Sequence, residues 1–92
     1  MATFVMFGRY SLDAVKGISA KRTNQSVTLI KKYGGELKAG YALLGDVDIV
    51  LVVDLPDTER AMQVSAALTK LLGISFNTAP AVSFEQFDKL MG

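Results

Sequence analysis

From Thr3 to Tyr10 the chain reads TFVMFGRY, with Phe4 and Met6 on one alternation and Val5 and Phe7 on the other. Apolar residues on both faces of an extended segment suit a central strand covered on two sides better than a surface strand. Ser11 can cap a short helical turn, LDAVK, which Gly17 weakens. Ser19 offers a second N-cap, for a longer helix that runs to Tyr33 and ends at Gly34-Gly35. Arg22, Ser26, Leu29, Ile30 and Tyr33 fall near one face of it, so a guanidinium lies on or beside the stripe that should meet a sheet.

Glu36 to Leu43 alternates, with Leu37, Ala39, Tyr41 and Leu43 on one side, and reads as an edge strand. Gly45-Asp46 has the composition of a tight turn, and Ile49 to Val53 is the strongest β-branched run in the chain, so a hairpin with a buried second strand is expected. Pro56 stops that strand and Asp57 can cap a helix in which Ala61, Val64, Leu68 and Leu71 recur at helical spacing before Gly73 closes it. Ile74 to Val82 can form a last strand, which Pro80 places at a sheet edge because it has no N–H to donate. Ser83 with Gln86 makes a capping box for a short C-terminal helix carrying Phe84, Phe87, Leu90 and Met91.

The order β-α-β-β-α-β-α predicts an α+β fold of the ferredoxin-like kind, with a four-stranded antiparallel sheet and an added C-terminal helix. Two helices can cover only one face of so small a sheet, yet two of its strands are apolar on both faces. Burying roughly 600 Å² of apolar surface per subunit at about 25 cal/mol/Å² amounts to ~15 kcal/mol before association costs, so a homodimer or higher homo-oligomer, sheet against sheet, is expected.

With 92 residues, one domain spanning 1–92 is the expectation. Ten basic residues against nine acidic ones give a net charge of +1, with no basic run longer than Lys21-Arg22 or Lys31-Lys32. Neither a nucleic-acid footprint nor a polybasic membrane patch is implied. Cysteine and histidine are both absent, which removes disulfides, thiolate nucleophiles, imidazole bases and the commonest zinc, copper and haem ligands. No cofactor is implied. The apolar stretch from Ala2 to Gly8 runs at once into Arg9 without a basic segment before it, and no apolar run approaches the ~20 residues of a membrane span. A cytoplasmic location is the default expectation.

At Gly45 the segment GDVDIVLVVDLPDTERA resembles the central signature of the GYD domain family, in which a turn leads into an apolar strand and an acidic-Pro-Asp helix start. The likeness extends through SAKR at Ser19 to Arg22, through KKYGGELKAGYALLG, and through the strand and helix after Gly73. Val47 stands where the family has Tyr, and Ala20 where it has Pro. The resemblance implies a dimeric α/β barrel of ferredoxin-like subunits and, because the family is functionally uncharacterised, implies no reaction.

Four residues stand out as candidate ligand-binding positions: Arg22, Tyr10, Tyr41 and Asp48. A guanidinium on a sheet-facing stripe needs a carboxylate, a carbonyl or an anionic ligand, and the plain alternative is an ion pair with Asp48 or Asp54 or exposure of its tip to water. Tyr10 and Tyr41 combine an apolar ring with a polar end that can line a cavity or simply pack. Asp48 and Asp54 project to one face about 20 Å apart, too far to share a substrate atom, and suit turn and cap hydrogen bonds. Asp46 and Asp48 without histidine are weak ligands even for magnesium or calcium, so no metal site is expected.

Three function classes follow. The first is a small oligomeric ligand-binding or assembly module, favoured by the missing catalytic residue types. The second is a cofactor-free barrel enzyme, an oxygenase or isomerase acting on a small apolar substrate whose reactive group meets Arg22 and a Tyr. An enclosed pocket holding convergent polar groups with perturbed pKa values would favour the enzyme, and a filled core the module. The third, an RNA-binding sheet, would need exposed aromatics beside basic residues; Phe4 and Phe7 are present without the accompanying RNA-recognition pattern.

Overall fold

The computed structural model describes all 92 residues, Met1–Gly92. Its elements are β1 (Ala2–Tyr10), α1 (Leu12–Lys16), α2 (Ala20–Lys32), β2 (Glu36–Ala42), β3 (Ile49–Leu55), α3 (Thr58–Leu72), β4 (Ile74–Ala81) and α4 (Phe84–Met91). The strands form one antiparallel sheet in the order β2-β3-β1-β4. The architecture is therefore the ferredoxin-like α+β sheet anticipated from the element order. The two strands with apolar residues on both faces take its centre, and the edges fall to β2 and to the proline-bearing β4.

Each helix starts on a side chain that accepts an otherwise unpaired backbone N–H. Ser11 caps α1 through Ala14, Ser19 caps α2 through Arg22, Asp57 caps α3 through Arg60, and Ser83 caps α4 through Gln86. At the other end of α3, Gly73 takes the left-handed conformation (φ 70°) that closes a helix without a Cβ clash, and its carbonyl accepts the Ser11 N–H at 3.1 Å. The end of β1 is thereby tied to the turn between α3 and β4.

All the helix-to-sheet packing lies on one face. Phe4 and Met6 of β1, Val53 and Leu55 of β3, and Ile74 of β4 meet Ile30 of α2 and Ala61, Val64, Leu68 and Leu72 of α3 in a buried cluster, which Ala14 of α1 completes. The opposite face carries no helix. Cross-strand register puts Tyr41, Val50, Phe7 and Asn77 in one row of it, Ala39, Val52, Val5 and Ala79 in the next, and Glu36, Asp54, Thr3 and Ala81 in a third.

Two details depart from the sequence pattern. Alternation through β2 predicts that Leu37, Ala39 and Tyr41 share a face, but a bulge at Lys38 shifts the register. Leu37 then pairs with Val53 on the helix side, whereas Ala39 and Tyr41 pair with Val52 and Val50 on the open side. An extra residue in an edge strand flips every side chain beyond it. With Phe84 and Phe87 in its sequence, the C-terminal helix suits covering a sheet edge or part of the open face. Instead α4 buries no residue in its own chain, and Phe84 is 87% exposed. No helix is long and apolar enough to cross a membrane.

Leu68 is fully buried at the centre of the cluster and Leu44 fully exposed in the loop before β3. Leu68→Ala is expected to cost about 2–5 kcal/mol in urea unfolding, and Leu44→Ala less than about 0.5 kcal/mol.

Candidate functional site

The helix that covers β2 changes character along its length. In its C-terminal half Ile30 is buried, with Leu29 and Tyr33 packed against the core. One turn and two turns earlier, the same stripe carries Ser26 and Arg22, and across from them β2 offers only Gly40 and Ala42. With short side chains below and polar ones above, helix and sheet do not close on each other. A cavity of about 400 Å³ is left between them. That lies within the ~300–1,000 Å³ usual for small-molecule sites.

Tyr10, Ile49, Leu51, Ile74 and Phe76 contribute its sheet side, Ala14 and Ile18 its roof, and Ser19, Arg22, Thr23 and Ser26 the wall along α2. At the sheet side, Gly8 lets the Ile49 and Phe76 side chains of the flanking strands lean over β1. A Cβ there would stand 2.8 Å from both Ile49 and Phe76. The lining is mainly apolar, and the ionisable side chains bordering it are Arg22, Tyr10 and Tyr41, with no carboxylate among them.

Most of the polar groups on the α2 wall are already engaged with the helix itself. Ser19 Oγ accepts the Arg22 N–H at 3.2 Å, Thr23 Oγ1 donates to the Ser19 carbonyl at 3.4 Å, and Ser26 Oγ donates to the Arg22 carbonyl at 2.9 Å. The Arg22 guanidinium is different. Its Nη2 donates to the Leu71 carbonyl at 2.9 Å, in the last turn of α3, where the helix dipole favours a cation. The ion pair with Asp48 or Asp54 that the sequence suggested does not form; the three ion pairs present are Lys38–Glu36, Arg60–Asp57 and Lys89–Glu85. The guanidinium lies across Gly17, and a Cβ built at that residue would overlap it.

Of the four residues singled out in the sequence, Arg22 and Tyr10 border the cavity directly. Tyr41 stands at its rim: its cross-strand partner is Val50 on the open face, and it is 63% exposed. Asp48 lies outside the lining and acts as a latch between strands. Its Oδ2 accepts the Tyr10 N–H at 2.8 Å, its own N–H donates to the Gly8 carbonyl at 2.8 Å, and its carbonyl accepts the Leu43 N–H at 2.8 Å. Asp54 accepts from Thr3 Oγ1 at 2.8 Å on the open face. Sequence reasoning did not find Gly17, Gly40 and Ala42. The signal for the last two was there, in the unusually small residues of an otherwise regular strand.

No curated protein matches the chain. Among solved structures, the leucine response regulatory protein of Mycobacterium tuberculosis superposes with a TM-score of 0.59 at 6% identity, over 89% of this chain and 51% of that one. A second crystal structure, of a glutamate-to-alanine mutant, gives 0.59 at 7% identity, over 89% and 50%. The chain thus spans about half the length of these proteins, and at such identity the likeness concerns the fold alone. The family model described as the GYD domain matches residues 4–91.

Replacing Asp48 by Ala leaves the Tyr10 N–H without its acceptor and is expected to cost about 1–3 kcal/mol in urea unfolding. Asp46→Ala, at an exposed loop position without a hydrogen bond, serves as the control and should be close to neutral.

Proposed function

The chain belongs to the GYD domain family, and from that premise we propose that it is a homodimeric module that binds a small molecule on the helix side of its sheet. The observation that carries the ligand half of this reading is the cavity beneath α2, with its apolar lining and the arginine at its wall. A core-only role for these residues would favour a closed contact between α2 and the sheet, such as the one that leaves Ile30 fully buried further along. Binding is favoured over catalysis by the groups at hand: the cavity is bordered by a guanidinium and phenols, without a carboxylate, thiol or imidazole to move a proton.

The dimer half rests on the open sheet face. Its two inner rows place Val5, Val50, Val52 and Phe7 together, flanked by Ala39, Ala79 and Tyr41, and Phe7 remains 39% exposed. A second copy presents the same surface, so a two-fold arrangement buries both at once. At roughly 600 Å² of apolar surface per subunit, the contact approaches the ~800 Å² per partner of a standard stable interface once polar rims are added. The exposed apolar side chains of α4 (Phe84, Phe87, Leu90 and Met91) add area that a neighbouring copy can cover.

Native mass spectrometry, stepped from gentle to denaturing conditions, tests both halves. The wild-type protein is expected at twice the 9.9 kDa of one chain, and gentle conditions should retain extra mass from a bound small molecule. Val52→Asp places a charge at the centre of the open face and is expected to shift the protein to the single-chain mass. A wild-type monomer as stable as the Val52→Asp variant would overturn the dimer reading.

A further inference from the structure

The chemistry of the cavity narrows what it can hold. We propose that its ligand is a small apolar monocarboxylate, seated with its carboxylate on the Arg22 guanidinium and its hydrocarbon body against Ile49, Leu51 and Phe76. This deepens the ligand-binding reading above and rests on it.

The first support is the state of Arg22. A guanidinium carries five N–H donors in a flat fork suited to a carboxylate, and here one bond, to the Leu71 carbonyl, is what fixes it in place. A carbonyl orients the group but does not neutralise it. With no acidic side chain in the lining and no ion pair to Arg22, the one formal charge bordering the cavity is positive and has no carboxylate partner. A partly buried cation facing a mainly apolar lining is stabilised by an anion brought in from solution.

The second is what accompanies Arg22. The hydroxyls of Thr23 and Ser26 donate to backbone carbonyls of α2 and Ser19 Oγ accepts the Arg22 N–H, so the α2 wall adds one free O–H donor, that of Ser19, beside the guanidinium. A phosphate group brings a charge of about −1.5 to −2 and three acceptor oxygens, more than one guanidinium can satisfy. A single carboxylate matches it. The first turn of α2 also departs from the other helices: α1, α3 and α4 each have an acidic residue there, whereas α2 has none and carries Lys21 and Arg22. An anion near that end is favoured by the helix dipole as well as by the arginine.

The third is volume. About 400 Å³, bounded chiefly by aliphatic and aromatic side chains, admits a hydrocarbon chain or a single aromatic ring and leaves a charged or heavily hydroxylated body without partners.

The test is isothermal titration calorimetry of the purified protein with hexanoate, octanoate, decanoate and 4-phenylbutyrate, each against its own primary amide. The amides keep shape and apolar area and remove the charge. At least one acid is expected to bind ten-fold or more tightly than its amide, with the preference weakening as salt is raised. Arg22→Met should abolish the preference and leave acid and amide alike, Arg22→Lys should keep part of it, and Ala42→Phe, which fills the cavity from β2, should weaken both ligands. Circular dichroism melting identifies any variant that fails to fold, and the Arg22→Lys titration then carries the comparison. Equal binding of acid and amide to the wild-type protein overturns the carboxylate assignment and keeps the cavity as a binding site. Acid preference that survives in Arg22→Met and Arg22→Lys alike overturns the role of Arg22. Failure of every acid and every amide to bind overturns the inference together with the ligand-binding reading beneath it.

Discussion

The rest of the structure depends on a mismatch between the central strands and the number of layers available to cover them. β1 and β3 are apolar on both faces, and the chain supplies helices for only one. On that side Phe4, Met6, Val53 and Leu55 meet α2 and α3 and form the core. On the other, Val5, Phe7, Val50 and Val52 form an apolar surface of the same width with no layer of this chain above it. Water against such a surface is costly in proportion to its area, and this cost is what favours the homodimer proposed above, since no helix remains to fold back over it. The C-terminal helix does not supply the missing layer; it too presents apolar side chains outward.

The covered side is itself divided. Where α2 presents Ile30 and Leu29, helix and sheet pack densely, and where it presents Ser26 and Arg22 above Gly40 and Ala42, they stay apart. Stability and the candidate site are therefore drawn from different turns of the same helix. Arg22 joins the two regions because its bond to the Leu71 carbonyl holds the N-terminal half of α2 to the end of α3. Gly17 leaves the room that the guanidinium occupies there, since a Cβ at that residue would overlap it.

Around this site the strand ends are held by groups that take no part in the lining. Asp48 bonds the start of β3 to the end of β1 through both its carboxylate and its backbone, and Ser11, the residue after β1, donates its N–H to the Gly73 carbonyl in the turn after α3. These contacts fix the end of the sheet at which Tyr10, Ile49 and Ile74 are displayed. The carboxylate that looked in the sequence like a candidate for the ligand is, in the folded chain, what keeps the cavity floor in register.

The sequence by itself determined the order of elements, the caps at Ser11, Ser19, Asp57 and Ser83, and the assignment of β1 and β3 to the centre and β4 to an edge. All of these follow from local properties: hydrogen-bonding side chains at helix starts, apolar periodicity, and the missing N–H of Pro80. Arg22 was legible as an arginine on the wrong stripe of a helix. Only the tertiary structure decided what that arginine meets, because Leu71 is far away in sequence and a carbonyl leaves no compositional trace. The bulge at Lys38 was hidden for a related reason: alternation continues through it in sequence, while the slip exists only relative to the paired strand. The cavity, too, is a relation between elements, since small residues in β2 and polar ones in α2 make a space only once the fold sets them opposite each other.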